Sequence, residues 1–235
     1  DKSKTEREDT DFIIEKAKNK GFISLEEAIK KEIKKGDKIY LNNKNKSAVL
    51  MVVGEDLEEG MNIVGSHIDC PRLDLKPNPL YEDCELAMFK THYYGGIRKY
   101  QWPTIQLALH GFVINSKGEK ININIGEDEN DPVFFINDLL PHLGAGQNKK
   151  TLGAGVDAES LNIVVEHSSY KINDDKNPIK IMVLEILKEK YNIIEEDFAV
   201  AEIEAVPAAK ARDVGFDRAM IAAHGHDDRI CSYAN

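Results

Sequence analysis

Hydrophobic and polar positions follow one another along this chain in two textures. Up to about Gly95 the pattern is that of α/β sequence. Thr5 with Glu8 forms a capping box, so a helix is expected to about Lys20, stopping at Gly21. Ser24 with Glu27 repeats the signal and predicts a second helix to about Lys35. "KIYLNN" and "AVLMVVG" read as two strands joined by the polar turn "KNKS". "NIVGSH" reads as a third strand, and its consecutive apolar residues predict burial on both faces.

After Gly95 the texture changes. "TIQLALHGFVI", "NSKGE" and "KININ" predict a long β-hairpin. "DPVFFINDLLPHL" carries Asp131 and Pro132 where a helix cap and first turn would place them. "LNIVVE" predicts a strand. "NPIKIMVLEILKEKYNI" predicts a helix capped by Asn177 with Pro178 at its first position, and "FAVAEIEAV" a further strand. "DRAMIAA" then resumes a buried strand, which breaks into "HGHDDRICSYA", a loop and helix. The tail thus resembles the first block. This order predicts one α/β domain made of residues 1–99 and 207–235 sharing a parallel-rich sheet. Residues 100–206 would form a β-rich unit inserted between its halves. "HLGAGQ" and "TLGAGV" continue into no phosphate-binding motif and read as turns.

Composition narrows the function classes. Of the 235 residues, 42% are hydrophobic and 31% charged, as in ordinary globular proteins. A net charge of −10 argues against nucleic-acid binding, which needs a basic face. No apolar run is long enough to cross a membrane, and "DKSKTEREDT" is too polar for a signal peptide. Three widely spaced cysteines form no disulfide framework, which points to the cytoplasm.

Candidate chemistry sits where strands end. In open α/β sheets, ligands bind beyond the carboxyl ends of strands. His67 ends "MNIVGSH", and Asp69 lies two residues on, on the same side of an extended segment. An imidazole there can bind a divalent metal if its second nitrogen donates to a fixed acceptor. Taken alone, a strand-end histidine is more often structural. Asp227 and Asp228 in "AHGHDDR", in the same topological situation, shift the balance toward a shared site. His67 and Asp227 are expected to lie within about 6 Å of each other, as ligands at ~2.0–2.2 Å from a metal would. His224 and His226 could also be ligands on spacing. His92 reads as part of a shaped hinge, His110 as structural and His167 as a surface residue. Cys70 and Cys231 read by default as small packing residues.

Four motifs in order, "SHIDCPRLDLKPNPLYED", "KTHYYGGIRKYQW", "INIGEDENDPVF" and "GHDDRICSY", resemble the M18 family of metalloaminopeptidases, the aspartyl aminopeptidase family. The similarity runs from about residue 5 to the end. It implies an α/β zinc-peptidase fold, a mixed sheet flanked by helices, interrupted by an inserted β-rich dimerisation domain. It implies two zinc ions per complete site, with cobalt or manganese as substitutes. It also implies removal of N-terminal residues, often acidic, from peptides, and a homo-oligomer, a dodecamer built from dimers. By motif, His67 resembles a ligand of one metal and Asp69 the acid that orients it. Asp227 resembles the carboxylate bridging both metals. His142 in "LLPHL" resembles the histidine offered to the partner's active site.

The resemblance also implies residues absent here: an adjacent Glu-Glu pair, a further Asp and a C-terminal His. Glu58-Glu59 and Glu195-Glu196 lie in polar segments unsuited to that role. The chain is therefore expected to be part of a longer aminopeptidase, inactive by itself. The competing expectation is a non-catalytic assembly module with an incomplete metal site.

Overall fold

The computed structural model of the chain describes residues 1–56, 58–167 and 176–235. These fall into two compact units, one formed by Asp1–Cys70 with Lys210–Asn235 and the other by Pro71–Ala209. The second unit is thus an insertion in the sequence of the first. It begins at residue 71, not at the expected 100.

The first unit opens with helix α1 (Glu6–Asn19), whose start carries the full capping box. The Thr5 side chain accepts from Glu8 N, and the Glu8 carboxylate accepts from Thr5 N at 3.1 Å. Strand β1 (Ile23–Ser24) leads into α2 (Leu25–Ala28), a single turn capped by Ser24. The longer helix expected here is cut to one turn, and among the described residues its apolar side is left uncovered: Ile29 is 69% exposed and Ile33 is exposed too. β2 (Lys38–Asn43) and β3 (Ser47–Val52) form the expected hairpin. Lys44 and Asn45 both take φ +56°, left-handed geometry within the three-residue loop between Asn43 and Ser47. β1 pairs in parallel with β2, giving a small mixed sheet against α1. Ile14, Ala17, Ala28, Ile39 and Val53 form the buried interior of this unit. "NIVGSH" is not a strand. Ile63 and Val64 are exposed, and among the described residues no strand pairs with this segment.

The second unit is built on a six-stranded antiparallel sheet. Its strands are β4 (Arg72–Asp83), β5 (Leu86–Tyr94), β6 (Leu107–Ile114), β7 (Lys120–Ile125), β8 (Ile163–Glu166) and β9 (Glu202–Pro207), in the order β7-β6-β9-β4-β5-β8. The proline-containing stretch "RLDLKPNPLYED" is the long strand β4. Its prolines are tolerated because the β4–β5 register shifts between Leu75 and Leu80, so Pro77 and Pro79 fall in the irregularity. β4 pairs with β9 as well as β5, which carries residues 71–94 into this unit. Helix α3 (Pro178–Tyr191) lies against β4, β5 and β8. Leu73, Leu107, Val113, Ile163, Ile179 and Val183 are among its buried core. "DPVFFINDLLPHL" forms no helix. Asp131 instead accepts from Gly126 N and Asp128 N, and Phe134 exchanges backbone bonds with Leu107 at 2.9 and 2.7 Å. Pairing with β6 overrides the capping signature.

The chain returns to the first unit with β10 (Arg212–Val214), β11 (Met220–Ala222) and α4 (His226–Ala234). Among the described residues β10 and β11 pair only with each other, and Met220 and Ile221 are exposed. The expected single parallel-rich sheet is therefore replaced by two small separate ones. The helix predicted after "HGH" is α4. Among the described residues, no helix is long and apolar enough to cross a membrane.

Candidate metal centre

Within the first unit, His67 in an irregular segment and Asp227 in a non-helical kink in the first turn of α4 come together. His67 Nε2 lies 3.2 Å from Asp227 Oδ1. The other ring nitrogen, Nδ1, donates to the Asp69 carbonyl at 2.9 Å and is 3.3 Å from the Asp69 carboxylate. Asp69 thus holds the ring mainly through its backbone, with its acid as a second partner. With Nδ1 engaged, Nε2 is the nitrogen left to meet a cation. The bond to the Asp69 carbonyl raises the imidazole pKa above its ordinary value, and the charges of Asp69 and Asp228 and a hydrogen bond to the Asp227 carboxylate add to the effect. Reduced hydration opposes the shift. Both facing side chains are open to solvent, His67 at 51% and Asp227 at 92%.

The backbones that carry these two residues are tied to each other. Cys70 is buried, and its Sγ donates to the Asp227 carbonyl at 3.4 Å. Burial pushes the Cys70 thiol pKa up, so the sulfur keeps the proton it donates. Arg229 Nε donates to the Ile68 carbonyl, and Ser232 Oγ to the His67 carbonyl, each at 3.1 Å. Arg229, Ser232 and the Cys70–Asp227 bond escape sequence reading, because nothing local to them announces a partner about 160 positions away.

Several other histidines have partners or places of their own. His226 donates through Nε2 to the Ile221 carbonyl at 3.0 Å, which occupies that nitrogen. His110 is buried in β6, 3.1 Å from Glu127, in keeping with a structural role. His92 stacks on Tyr93 in β5, with ring centroids 5.5 Å apart. His142 belongs to the second unit, where it lies exposed on a turn. Glu195 pairs with Lys180 at 2.6 Å, and Glu58 and Glu59 are exposed. All three cysteines are free thiols.

The residues present fit half of a divalent-metal centre. Two donors bound to one ion at ~2.1 Å in tetrahedral geometry stand about 3.4 Å apart, close to the 3.2 Å seen here. A histidine and an aspartate, with the far ring nitrogen fixed by an outer acceptor, are the donor chemistry of a zinc protein.

Comparison with known proteins agrees with that class. The chain belongs to the family described as aminopeptidase I zinc metalloprotease (M18), whose model matches residues 1–235. It is 48% identical over 235 residues to a probable M18 family aminopeptidase 1 of Clostridium acetobutylicum, covering 99% of this chain and 50% of that protein. An M18 aminopeptidase crystal structure from Thermotoga maritima superposes with a TM-score of 0.92 at 43% identity, covering 99% of this chain and 50% of that one. The S. cerevisiae mApe1 dodecamer shares the fold, with a TM-score of 0.70 at 20% identity, over 99% of this chain and 52% of that one. The chain therefore spans about half the length of the relatives it matches.

Proposed function

We propose that these residues form part of an aminopeptidase that removes N-terminal residues, acidic ones among them, from peptides in the cytoplasm. His67 and Asp227 would hold zinc, with cobalt or manganese able to replace it. The observation that carries this reading is the 3.2 Å approach of His67 Nε2 to Asp227 Oδ1. Zinc, when bound, supplies a Lewis acid that polarises a carbonyl and lowers the pKa of water. Asp69 fixes the tautomer and direction of His67. Asp227, with its side chain in solvent, would be open to a second ion as well. His142 is the residue to complete the site of a neighbouring copy, in an assembly of dimers reaching a dodecamer. Membership of the M18 family supports the reaction class, and the yeast relative's dodecamer supports the assembly.

The test is zinc binding by the purified gene product that carries these residues, together with chelator-sensitive release of an N-terminal aspartyl or leucyl residue. His67→Ala and Asp227→Asn should each abolish turnover and weaken zinc binding. Unchanged zinc binding in both would remove the pair from the site and leave the assembly-module reading.

A further inference from the structure

His67 and Asp227 present exposed side chains, so packing does little to set the distance between them. That distance has to come from the main chain beneath. Three side-chain bonds join the two segments in both directions. From the second segment, Arg229 Nε reaches the Ile68 carbonyl and Ser232 Oγ the His67 carbonyl. From the first, Cys70 Sγ reaches the Asp227 carbonyl. The acceptors are thus the carbonyls of His67, its neighbour Ile68, and Asp227. Ser66 adds further links, its Oγ lying 2.7 Å from Ser232 Oγ and accepting from Asn235 Nδ2 at 3.1 Å.

Arg229 is the centre of this lacing. Its side chain is only 13% exposed. Nη1 donates to the Ser3 carbonyl at 2.7 Å, and Nε lies 3.9 Å from the Asp9 carboxylate in α1. One planar fork therefore ties the N-terminal segment, the first helix and the His67 segment to the Asp227 segment. A lysine, with one charged nitrogen, could not span these directions. The backbone is shaped to admit the guanidinium. Gly225 has φ +92°, and a Cβ there would lie 2.7 Å from Arg229 Nη1 and 3.3 Å from Cys70 Sγ. Metal and catalytic constellations tolerate only about 0.5 Å of misplacement, so a brace of this kind bears directly on the ligands.

We infer that Arg229 is a positioning residue for the His67–Asp227 donor pair, acting with Cys70 and Ser232 to set the separation at which the pair accepts a divalent metal. This rests on the reading of His67 and Asp227 as ligands.

The experiment uses the gene product that carries these residues, purified as wild type, Arg229→Met, Arg229→Lys, Ser232→Ala and His67→Ala. Zinc affinity is measured by competition with a chelator, coordination geometry by the visible spectrum of the cobalt-loaded protein, and stability by thermal melting without metal. Arg229→Met should weaken zinc binding by about 10–100-fold, as loss of an outer-shell partner does. It should also move the cobalt band. Arg229→Lys should fall between, and Ser232→Ala should lose several-fold. In the double variant with His67→Ala, Arg229→Met should add little to the loss from His67→Ala alone. A lower melting temperature with unchanged zinc affinity and cobalt spectrum would make Arg229 a stability residue only and overturn the inference. Should Arg229→Met fail to fold, Ser232→Ala decides: unchanged affinity there overturns it equally. Unchanged affinity in His67→Ala sinks the ligand reading itself, a separate outcome.

Discussion

His67 is the residue whose proton reports on the site. Its pKa is raised in the fold, first by the Asp69 carbonyl and then by the surrounding carboxylates. The unfolded imidazole titrates near ~6.5. In the metal-free protein, the imidazolium's stabilising contacts are therefore fully present below about that pH and lost as pH rises through the higher folded value. The same proton competes with metal. Zinc affinity should climb through the raised pKa of His67 and level off above it. Chelator competition from about pH 5.5 to 8.5 would show this. A slope unchanged by His67→Ala would assign the titration elsewhere. Gly111 offers a second test at this scale. It takes φ +137° in β6, and an added methyl would land on the Glu202 carbonyl of β9. Gly111→Ala should destabilise the chain well beyond the ~1 kcal/mol typical of point changes, read by urea unfolding. A loss under that value would mean that β6 and β9 separate easily.

At the scale of elements, the start of α3 shows where sequence reading reaches its limit. Asn177 stands at the N-cap as its sequence context predicts, but in left-handed geometry at φ +63° and with no side-chain capping bond. The cap comes from Glu82 on β4, whose carboxylate accepts from Ile179 N and Lys180 N, both at 2.9 Å. Glu82→Ala should therefore cost about 1 kcal/mol, the usual value of a lost cap. Asn177→Gly should be neutral or slightly stabilising, since glycine suits that φ. Thermal unfolding monitored by circular dichroism distinguishes the two, and the reverse order would reassign the cap to Asn177. Elsewhere, elements whose cause is local were legible. The Thr5–Glu8 box, the β2–β3 turn and the β6–β7 hairpin are each set by residues a few positions apart. The elements misread are those decided at a distance. Helical signatures at 131–132 gave way to pairing with β6. "NIVGSH" has a strand's composition, but its apolar residues lie exposed with no partner strand among the described residues.

At the scale of the molecule, the described site offers a histidine and an aspartate as metal donors, with Asp69 behind the histidine. Catalytic zinc usually takes three protein ligands, and transfer of a proton by a placed group contributes typically 10²–10⁴-fold. The 235 residues alone should therefore show no useful, chelator-sensitive hydrolysis of an N-terminal aspartyl or leucyl substrate. Turnover by them at a rate comparable with full-length relatives would place the general base within this chain.

What the sequence determined by itself was local or chemical in kind: capped helices, tight turns, and His67 and Asp227 as candidate donors within motifs of the M18 family. These depend on residue identity and short spacing, which a linear text preserves. What only the tertiary structure decided was assignment. Residues 71–94 join the second unit because β4 pairs with β9, more than a hundred positions later. The His67–Asp227 distance is laced by Arg229, Ser232 and Cys70 across about 160 positions. Arginine, serine and cysteine are ordinary residues in the text. They become specific only when folding brings a particular carbonyl within reach of each.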